Sequence, residues 1–501
     1  MDPKTPDSYS LTDLLQEISG YNRTPSRFFP NVDLEQLLSD VSECRVVKQN
    51  NRRKIYCLNT PAGGYYVKLS TLIRTKDRLR HFLLPARRWA EWRNLHRLLA
   101  AKIPAAVPVM KGEKRGLQPK AFYLITEKIA GMVLKYDSPE SAEKLGRFIA
   151  RLHSRGIYHA DLHPNNIILR SDQELSLIDV QEVYFLPWLP RRWRIHNLGK
   201  LFFHLANNAE AARWLEAFLE GYYGGEKKPI TVSELLRAVE DYEQHRLRSR
   251  AKRCCKNNTS FEIVKNHDLR GYRRRDFIWD APQVHLALQQ AIMIKPDHVF
   301  RFQSVCIKRH RRKIFHQNRC LNSWKMSQAL AVRRISVPRA LGYFKIDKDN
   351  LFLSEFLVDS MQLNGYLSSL RDIRQKRVAL KKLAVWILKI HTQNIRQRDF
   401  KSSNVLCRDG EYFLLDLEGV KIRRLSRDRR IVNLAQLNAS VSNVITLKDR
   451  LRFFHFYAVD EKISRDQRRA IYEKVWEISK TKSTKFYNLD LEKLKPFLPK
   501  K

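Results

Sequence analysis

The chain has 501 residues, too many for one ordinary hydrophobic core, so its length predicts two or more domains. Apolar residues make up 43%, enough to fill those cores, while 94 Lys and Arg against 52 Asp and Glu leave a formal charge of +42. This surplus predicts long-range attraction to a polyanion, whether nucleic acid, an anionic membrane face or a phosphorylated glycolipid.

Cysteine usage and the first residues predict a protein of a reducing compartment. The seven cysteines are odd in number and form no repeated CxxC pair, which argues against a disulfide framework or a zinc site. Residues 1–20 lack a basic start and an apolar stretch, and no run approaches ~18 apolar residues. We expect a cytoplasmic protein, free or held at a surface.

The first half opens with alternating segments that predict strands, namely CRVVKQ (44–49), KIYCLN (54–59) and GYYVKLS (64–70). An amphipathic helix is predicted next, over residues 86–101, with four large apolar side chains at helical spacing: Trp89, Trp92, Leu95 and Leu99. Strands around Phe122–Thr126 and a helix from Ser141 then lead into a polar stretch. The rest of this half is mostly helical.

Landmarks of the first half recur in the second, in the same order and at a nearly constant offset. SFEIVKN and SVCIKRH again predict strands, and five pairs match: Lys68 with Lys308, Glu127 with Glu355, Asp161 with Asp399, Asp179 with Asp416, and Asn197 with Asn433. The offsets are 240, 228, 238, 237 and 236 residues. A duplicated unit of this length is a whole domain, so we predict domains over residues 1–245 and 246–501.

The stretch between the two halves is basic and polar. Residues 245–260, HRLRSRAKRCCKNNTS, show almost no periodic apolar signal, which is typical of a linker or loop. The same residues also fit the charged end of a helix that begins near Thr231. Both alternatives remain open.

The polar stretch YHADLHPNNIILRSDQELSLIDVQ contains the residue types that phosphoryl transfer from ATP requires. Asp161 and Asn166 lie in a predicted loop, and Asp179 ends a predicted strand. In such chemistry one Asp orients the accepting hydroxyl, while a second Asp and an Asn hold Mg²⁺. A strand Lys and a helix Glu complete the set, and Lys68 and Glu91 occupy those places. Singly, each residue is more often a turn former or a solvated side chain; the ordered set, found twice, favours an enzyme.

These motifs resemble known signatures. HADLHPNN…LID resembles the HRD-x₄-N and DFG motifs of the protein-kinase fold, with DVQ in place of DFG. YHADLHPNNIIL and LIDVQEVYF resemble more closely the lipopolysaccharide core kinases, the Kdo/heptose kinase family of Gram-negative bacteria, as do IKRH, RQRDFKSSNVL and LLDLEGVKI in the second half. The resemblance covers nearly the whole chain, twice. It implies an α+β chain of two tandem bilobal kinase-like domains, each with a small β-rich N-lobe and a larger helical C-lobe.

The resemblance also implies a role for each motif residue of the first half. Asp161 is the catalytic Asp, Asn166 and Asp179 are magnesium ligands, Lys68 holds the ATP phosphates and Glu91 positions that lysine. Glu127 lies where the chain enters the hinge between the lobes, whose backbone would meet adenine. His159 fills the place of the HRD histidine and supports the loop.

The second half matches with two departures. The corresponding residues are Lys308, Glu355, Asp399, Asn404 and Asp416. Gln397 replaces His159, and Ser323 stands opposite Glu91, so the helix carboxylate is missing. A serine cannot form the charge-assisted pair that orders the lysine. Either another acid substitutes, or this half is slower, differently specific or inactive.

Both halves lack a glycine-rich phosphate loop. KQNNRRK has no glycine, and KNHDLRGYRRR has only Gly271. The amides of a hairpin turn and its arginines can still meet phosphate. The chain nevertheless differs here from an ordinary protein kinase.

The implied activity is ATP-dependent phosphorylation of a Kdo or heptose hydroxyl of the lipopolysaccharide inner core, at the cytoplasmic membrane face of a Gram-negative bacterium. The implied partners are a lipid A-linked sugar acceptor and the anionic inner-membrane surface. Residues 185–194, FLPWLPRRWR, combine Trp188 and Trp193 with arginines and predict docking on that surface, although packing of the Trp rings under a substrate loop fits equally.

Two other classes of function compete with this one. A duplicated kinase-like scaffold could bind nucleotide and an anionic membrane or protein partner without transfer. Nucleic-acid binding would suit the charge, but the sequence shows no helix-turn-helix, zinc-finger or RNP signature.

Overall fold

The computed structural model describes residues 11–61, 63–73, 78–79, 88–114, 120–135, 138–205, 211–225, 229–295, 298–311, 318–442, 445–461 and 463–482. These form two compact units, Met1–Gln244 (the N-terminal unit) and His245–Lys501 (the C-terminal unit). The predicted domain boundary at residue 245 lies beside this division. Helix Val232–Ala251 continues past it and is followed by the 3₁₀ turn Lys252–Cys255. Residues 245–251 of the basic stretch are therefore the end of a helix, and residues 256–260 form a loop.

The N-lobe of the N-terminal unit is a six-stranded antiparallel sheet in the order β1-β5-β6-β4-β3-β2. Its strands are β1 Asn22–Pro25, β2 Glu43–Asn50, β3 Arg53–Thr60, β4 Gly63–Thr71, β5 Pro108–Lys114 and β6 Ala121–Glu127. Helices α1 Leu11–Ile18, α2 Leu34–Ser39 and α3 Ala90–Ala100 accompany it. Tyr56, Val67 and Tyr123 of the central strands are buried. In β4 burial alternates, with Val67 and Leu69 buried, as the period of two in a half-buried strand requires.

Helix α3 turns a different face to the core than its apolar spacing predicts. The buried residues of the helix are Glu91, Asn94, Leu95 and Leu98. Trp89 precedes the first turn as the N-cap residue, and Trp92 is only partly buried. A functional carboxylate therefore occupies a position that hydrophobic periodicity assigns to the polar face. The predicted start of this helix at Ala86 lies outside the described residues.

The C-lobe of the N-terminal unit alternates short strands with helices. In chain order these are β7 Gly131–Val133, α4 Pro139–Ser154, β8 Ile157–His159, β9 Ile167–Arg170, β10 Leu175–Leu177, β11 Val183–Phe185, α5 Arg191–Leu201, α6 Ala211–Tyr223 and α7 Val232–Ala251. Helix α4 begins two residues before the predicted Ser141, because Ser138 caps it through a reciprocal capping box with Ser141. The small sheets β10-β9-β7 and β11-β8 carry the polar motif at their ends.

The N-lobe of the C-terminal unit is a seven-stranded antiparallel sheet in the order β12-β13-β17-β18-β16-β15-β14. Its strands are β12 Phe261–Lys265, β13 Arg270–Arg274, β14 Ile292–Lys295, β15 Val299–Phe302, β16 Val305–Arg311, β17 Ala340–Ile346 and β18 Asp349–Glu355. Helices α8 Ala281–Gln290 and α9 Arg319–Ala331 belong to this lobe. Strands β14 and β15 were absent from the sequence prediction.

The strand order corrects the position assigned to the phosphate-loop hairpin of this unit. Lys308 lies on β16, which is next to the β14–β15 hairpin in the sheet. Lys68 lies on β4, which is next to the β2–β3 hairpin in the same way. The segment around Gly271 instead lies on β13, at the other end of the sheet. A Cβ at Gly271 would stand 1.9 Å from Tyr343 O, so this glycine permits close strand packing.

The C-lobe of the C-terminal unit repeats the same plan. Its elements are β19 Met361–Gln362, α10 Leu363–Ser369, α11 Ile373–Thr392, β20 Ile395–Gln397, β21 Val405–Arg408, β22 Glu411–Leu414, β23 Val420–Ile422, α12 Arg427–Ser440, α13 Leu447–Asp460 and α14 Arg465–Lys482. Each unit thus has a small sheet with a helix and a larger helical lobe. The predicted α+β architecture of two bilobal kinase-like units is confirmed.

Candidate active sites

In the N-terminal unit the loop between β8 and β9 brings the motif residues together. The Asn166 side-chain amide donates to Asp161 O at 2.9 Å, and Asp161 N donates to His159 Nδ1 at 3.1 Å. Ile178 N donates to Asn166 O at 3.0 Å, so the segment that carries Asp179 is tied to the same loop. Two carboxylates and an amide, spread over 19 residues of sequence, therefore share one site.

Asp179 has an unusual backbone conformation. Its φ of 53° and ψ of 51° place it in the left-handed region, and Asp416 repeats this at φ 52° and ψ 60°. Non-glycine residues seldom adopt this conformation, although Asp tolerates it better than most. The same strain at both motif positions fits a functional turn that aims the carboxylate.

Lys68 connects the sheet to the motif loop. Its ammonium forms an ion pair with Glu91 on α3, and it lies 4.0 Å from Asp179 Oδ1. Glu91 Oε2 also forms an ion pair with Arg53 of the β2–β3 hairpin, whose Nη2 lies 3.5 Å away. The Lys68 and Glu91 side chains are 15% and 9% exposed, so the pair is shielded and orders the lysine more firmly than a surface pair would.

Asp161 is held by two side chains that the sequence did not assign to it, Lys200 and His163. Lys200 Nζ on α5 lies 2.7 Å from Asp161 Oδ1, and His163 Nε2 lies 3.6 Å from Oδ2. Burial alone would raise the pKa of Asp161, but the hydrogen bond and charge of Lys200 outweigh it and hold that pKa below its usual value. The carboxylate is therefore ionised at neutral pH, as an acceptor for a hydroxyl proton must be.

A buried polar network supports the loop from below. Asn197 Nδ2 donates to His159 O at 2.7 Å, and its oxygen lies 3.2 Å from His153 Nε2. Burial lowers the pKa of His159 to about 4, so the imidazole is neutral at pH 7. His159 therefore acts as an uncharged support whose Nδ1 accepts from the loop backbone, in agreement with its predicted role.

The C-terminal unit builds the same loop with one exchange. Asn404 Nδ2 donates to Asp399 O at 2.9 Å, and Leu415 N donates to Asn404 O at 2.8 Å. Asn433 Nδ2 donates to Gln397 O at 2.8 Å, the counterpart of the contact between Asn197 and His159. Gln397 Nε2 donates to Asp416 O at 2.9 Å. The glutamine thus ties the loop of Asp399 directly to the backbone of Asp416.

Lys308 has different acidic partners from Lys68. Its Nζ lies 3.2 Å from Asp416 Oδ1 and 3.7 Å from Glu418 Oε1. Ser323 on α9 is buried at the position of Glu91 and offers no charge. Glu418, two residues after Asp416, therefore compensates for the missing helix carboxylate. The sequence comparison had allowed for a substitute acid without naming it.

The two predicted hinge residues end equivalent strands. Glu127 closes β6, with its backbone N donating to Val107 O at 2.9 Å, and Glu355 closes β18, with its backbone N donating to Arg339 O at 2.9 Å. Burial raises the pKa of Glu127. Glu355 lines a cleft of about 810 Å³ together with Lys308, Asn404 and Asp416. This volume falls in the range of small-molecule sites.

The oxygen donors fit a magnesium ion that is shared with a nucleotide. The side-chain nitrogens of Asn166 and Asn404 donate to the backbone carbonyls of Asp161 and Asp399. Their amide oxygens are therefore left as potential ligands beside Asp179 and Asp416. Within the described residues no group of three or more His, Cys, Asp or Glu side chains could hold a metal. Magnesium commonly takes one or two protein ligands and completes its shell with phosphate oxygens and water.

Among the residues that sequence reasoning missed, only some left a signal. Lys200 follows Asn197 by three residues on a predicted helix, which places both on one face. Glu418 lies two residues after Asp416. Arg53 stood within the glycine-free hairpin that was expected to use arginines. None of the three could be assigned a partner from spacing alone.

A family model described as the lipopolysaccharide kinase (Kdo/WaaP) family matches residues 41–222 and again residues 301–457, together more than half of the chain. The chain belongs to this family. One match falls within each unit, as a tandem arrangement requires. The family resemblance inferred from the motifs is confirmed, and this member of the Kdo/WaaP family is an ATP-dependent kinase.

Several curated proteins resemble this Kdo/WaaP family member. The lipopolysaccharide core heptose(I) kinase WaaP of Escherichia coli is 27% identical over 42% of this chain and 89% of its own length. The 3-deoxy-D-manno-octulosonic acid kinase of Stenotrophomonas maltophilia is 31% identical over 32% of this chain and 69% of its own. A probable bifunctional tRNA threonylcarbamoyladenosine biosynthesis protein of Methanosarcina barkeri is 34% identical over 25% of this chain, which spans only 22% of that relative's length.

A structure of WaaP in complex with acyl carrier protein aligns with a TM-score of 0.32 and 18% identity, over 45% of this chain and 97% of that chain.

Proposed function

We propose that the chain transfers the γ-phosphoryl group of ATP to a sugar hydroxyl of the lipopolysaccharide inner core, on Kdo or heptose. The observation that carries this proposal is the convergence of a strand lysine, a helix carboxylate, two motif carboxylates and an asparagine in the N-terminal unit. This is the set of groups that positions nucleotide, metal and acceptor in kinases.

Lys68 and Asp161 would act directly on the reactants, and Lys200 would act through Asp161. Lys68 lies between Glu91 and Asp179, where its charge can hold the α- and β-phosphates. Asp161 would orient the sugar hydroxyl and take its proton while the hydroxyl oxygen bonds to phosphorus and the bond to the ADP oxygen breaks. Lys200, 2.7 Å from Asp161, keeps that carboxylate ionised.

Asn166 and Asp179 would hold magnesium through their side-chain oxygens. Bound there, the ion would neutralise charge on the phosphates. Asp179 has a 44% exposed side chain, so its carboxylate is open to a ligand even though it lies near Lys68.

The acceptor is proposed from the relatives and from the charge. Relatives that match this chain are named as kinases of heptose(I) and of 3-deoxy-D-manno-octulosonic acid. A formal charge of +42 suits an acceptor with phosphate groups and an anionic membrane surface around it. No helix of the described residues has the length and apolar content to cross a membrane. We place the protein at the cytoplasmic face of the inner membrane of a Gram-negative bacterium.

The proposal is tested with radiolabelled ATP and purified inner-core glycolipid. Loss of the catalytic carboxylate in Asp161→Ala should remove transfer by the N-terminal unit, and Asp399→Ala should remove transfer by the C-terminal unit. The double variant should fall by about a hundredfold or more, the usual contribution of a positioned base.

The control for this experiment is Asp172→Ala, which removes an exposed acid in the turn between β9 and β10 and should label the glycolipid normally. Label that appears on the protein in place of the glycolipid would overturn the proposed acceptor. A double variant as active as the native chain would overturn the enzyme assignment.

A further inference from the structure

The lysine-binding carboxylate has changed position between the two units. Lys102 and Arg334, in the turns that follow helices α3 and α9, have similar left-handed φ values of 53° and 57°. They align these helices at an offset of 232 residues. At this offset Ser323 takes the place of Glu91. Ser323 is only 1% exposed, and its hydroxyl has no hydrogen-bond partner within the described structure. The helix of the C-terminal unit therefore offers no acid to Lys308.

An acid appears instead where the N-terminal unit has an amide. Two residues after the motif Asp, the N-terminal unit has Gln181 and the C-terminal unit has Glu418. In the N-terminal unit the acid is on the helix, and an amide follows Asp179 by two residues. In the C-terminal unit the helix has a hydroxyl, and the acid follows Asp416 by two residues. Each lysine thus keeps one carboxylate partner besides the motif Asp, delivered from a different element.

Glu418 is placed to order its lysine. Its side chain is 15% exposed, lies 3.7 Å from Lys308 Nζ and accepts from His310 Nε2 at 2.8 Å. Asn322 on α9 donates to Glu418 O at 3.0 Å, which fixes the backbone of this residue to the helix.

The two units also differ in the position of the lysine that contacts the candidate catalytic Asp. The N-terminal unit holds Asp161 through Lys200, whose counterpart Gln436 is neutral. In the C-terminal unit Lys401, the counterpart of His163, lies 2.7 Å from Asp399 Oδ2. A site that is losing function would lose these charges without replacement. Both losses here are replaced, and the described cleft of about 810 Å³ remains beside them.

We propose that the C-terminal unit contains its own working site for magnesium-bound nucleoside triphosphate, in which Glu418 replaces the helix carboxylate as the positioning residue for Lys308. The proposal rests on the proposed phosphotransfer function and extends it to the second unit. There the γ-phosphorus bond to the ADP oxygen would break, a bond to an acceptor hydroxyl oxygen would form, and Asp399 would take the hydroxyl proton.

The test is calorimetric titration of the full-length chain with the magnesium complex of a non-hydrolysable β,γ-imido ATP analogue. The native chain should bind two equivalents, and Lys68→Met should leave one. Adding Glu418→Gln to Lys68→Met should weaken the remaining site by about tenfold or more, since a hydrogen-bonded ion pair to the lysine is lost. Glu418→Asp keeps the charge and should lose less affinity than Glu418→Gln.

The matched control is Glu411→Gln in the same Lys68→Met chain. Glu411 is an exposed acid on β22, seven residues before Glu418, and its loss should leave the affinity unchanged. The melting temperature without nucleotide should also be the same for both glutamine variants, which separates a positioning role from a structural one.

Three results would overturn the inference: no binding in Lys68→Met, full affinity in Lys68→Met with Glu418→Gln, or equal losses for the Asp and Gln variants. The titration requires no acceptor. A chain that binds two equivalents but leaves the glycolipid unlabelled would therefore refute the proposed acceptor, while Glu418 kept its role.

Discussion

Buried histidines in equivalent positions support the C-lobes of both units. His153 Nδ1 lies 2.7 Å from the Tyr222 hydroxyl, and His391 Nδ1 lies 2.8 Å from the Tyr457 hydroxyl. Burial lowers the pKa of His153 to about 4 and that of His391 to about 3. Each pairing joins a helix that leads into the catalytic loop to a helix behind it, so both histidines serve the core in their neutral form.

These histidines predict a loss of stability in mild acid. The folded-state pKa lies below the unfolded value of about 6.5, so the unfolded chain binds more protons as the pH falls below that value. Each histidine should therefore contribute stability at pH 7 and lose up to about 2 kcal/mol of it by pH 5. Thermal melting followed between pH 7 and pH 5 measures this slope.

The control for the pH experiment is the variant His153→Gln with His391→Gln. It should melt lower at pH 7 but show a shallower decline toward pH 5. An unchanged slope would show that other groups cause the acid sensitivity. Carboxylates with lowered pKa, such as Asp161, titrate below this window and do not confuse the result.

At the scale of elements, the C-lobe of the N-terminal unit depends on a close crossing of helices α4 and α6. A Cβ on Gly146 would lie 2.2 Å from Phe218 O, and one on Gly221 would lie 2.0 Å from Glu143 O. Each glycine thus faces the backbone of the other helix. Helix propensity alone favours alanine over glycine by about 1 kcal/mol, so these positions are kept for packing rather than for local conformation.

Gly146→Ala should therefore destabilise the N-terminal unit, by about 1–3 kcal/mol, because the added methyl group meets backbone that cannot rotate away. The measurement is urea unfolding followed by tryptophan fluorescence. Gly365→Ala is the matched control, since it is also helical and its Cβ would meet only Met361 Cε at 3.7 Å. It should be neutral or stabilising. A similar effect from both variants would refute the packing argument.

At the scale of the whole molecule, the excess positive charge predicts attraction to an anionic surface, and residues 185–194 contain exposed aromatic side chains. Trp188 is 69% exposed, while Trp193 is 37% exposed and packs edge-on against Tyr158 at 5.0 Å. Tyr158 immediately precedes His159 of the catalytic loop. The Trp188 ring is therefore exposed, as docking on a surface would require. The Trp193 ring packs beside the candidate site, which agrees with the alternative of Trp packing near a substrate loop.

We expect binding to vesicles that contain anionic lipid, with two contributions. The electrostatic part should weaken as salt rises, because the Debye length shrinks from about 10 Å at 0.1 M to about 3 Å at 1 M. Trp188→Ala with Trp193→Ala should reduce the binding that remains at high salt by severalfold. Vesicle co-sedimentation measures both.

The control for vesicle binding is Ile278→Ala with Ile292→Ala, which removes two side chains that are 73% and 72% exposed, both in the C-terminal unit. It should bind vesicles as the native chain does. Unchanged binding in the double Trp variant would eliminate docking through this segment, and the charge alone would account for any association.

The sequence alone determined the kind of enzyme and its duplication. Lys68, Asp161, Asn166 and Asp179 recur in order in the second half, and their chemistry is set by residue type and chain order. Strand β4, with its alternating burial, was also readable from the sequence, because this pattern is local.

Only the tertiary structure decided which charges meet. Glu418 and Lys308 are 110 residues apart, and Lys200 and Asp161 are 39 apart, so no local pattern marks them as partners. The buried face of α3 and the position of the β14–β15 hairpin beside β16 likewise depend on neighbours in space. Ion pairs form across distances of a few ångströms, and folding alone brings such distant residues within that range.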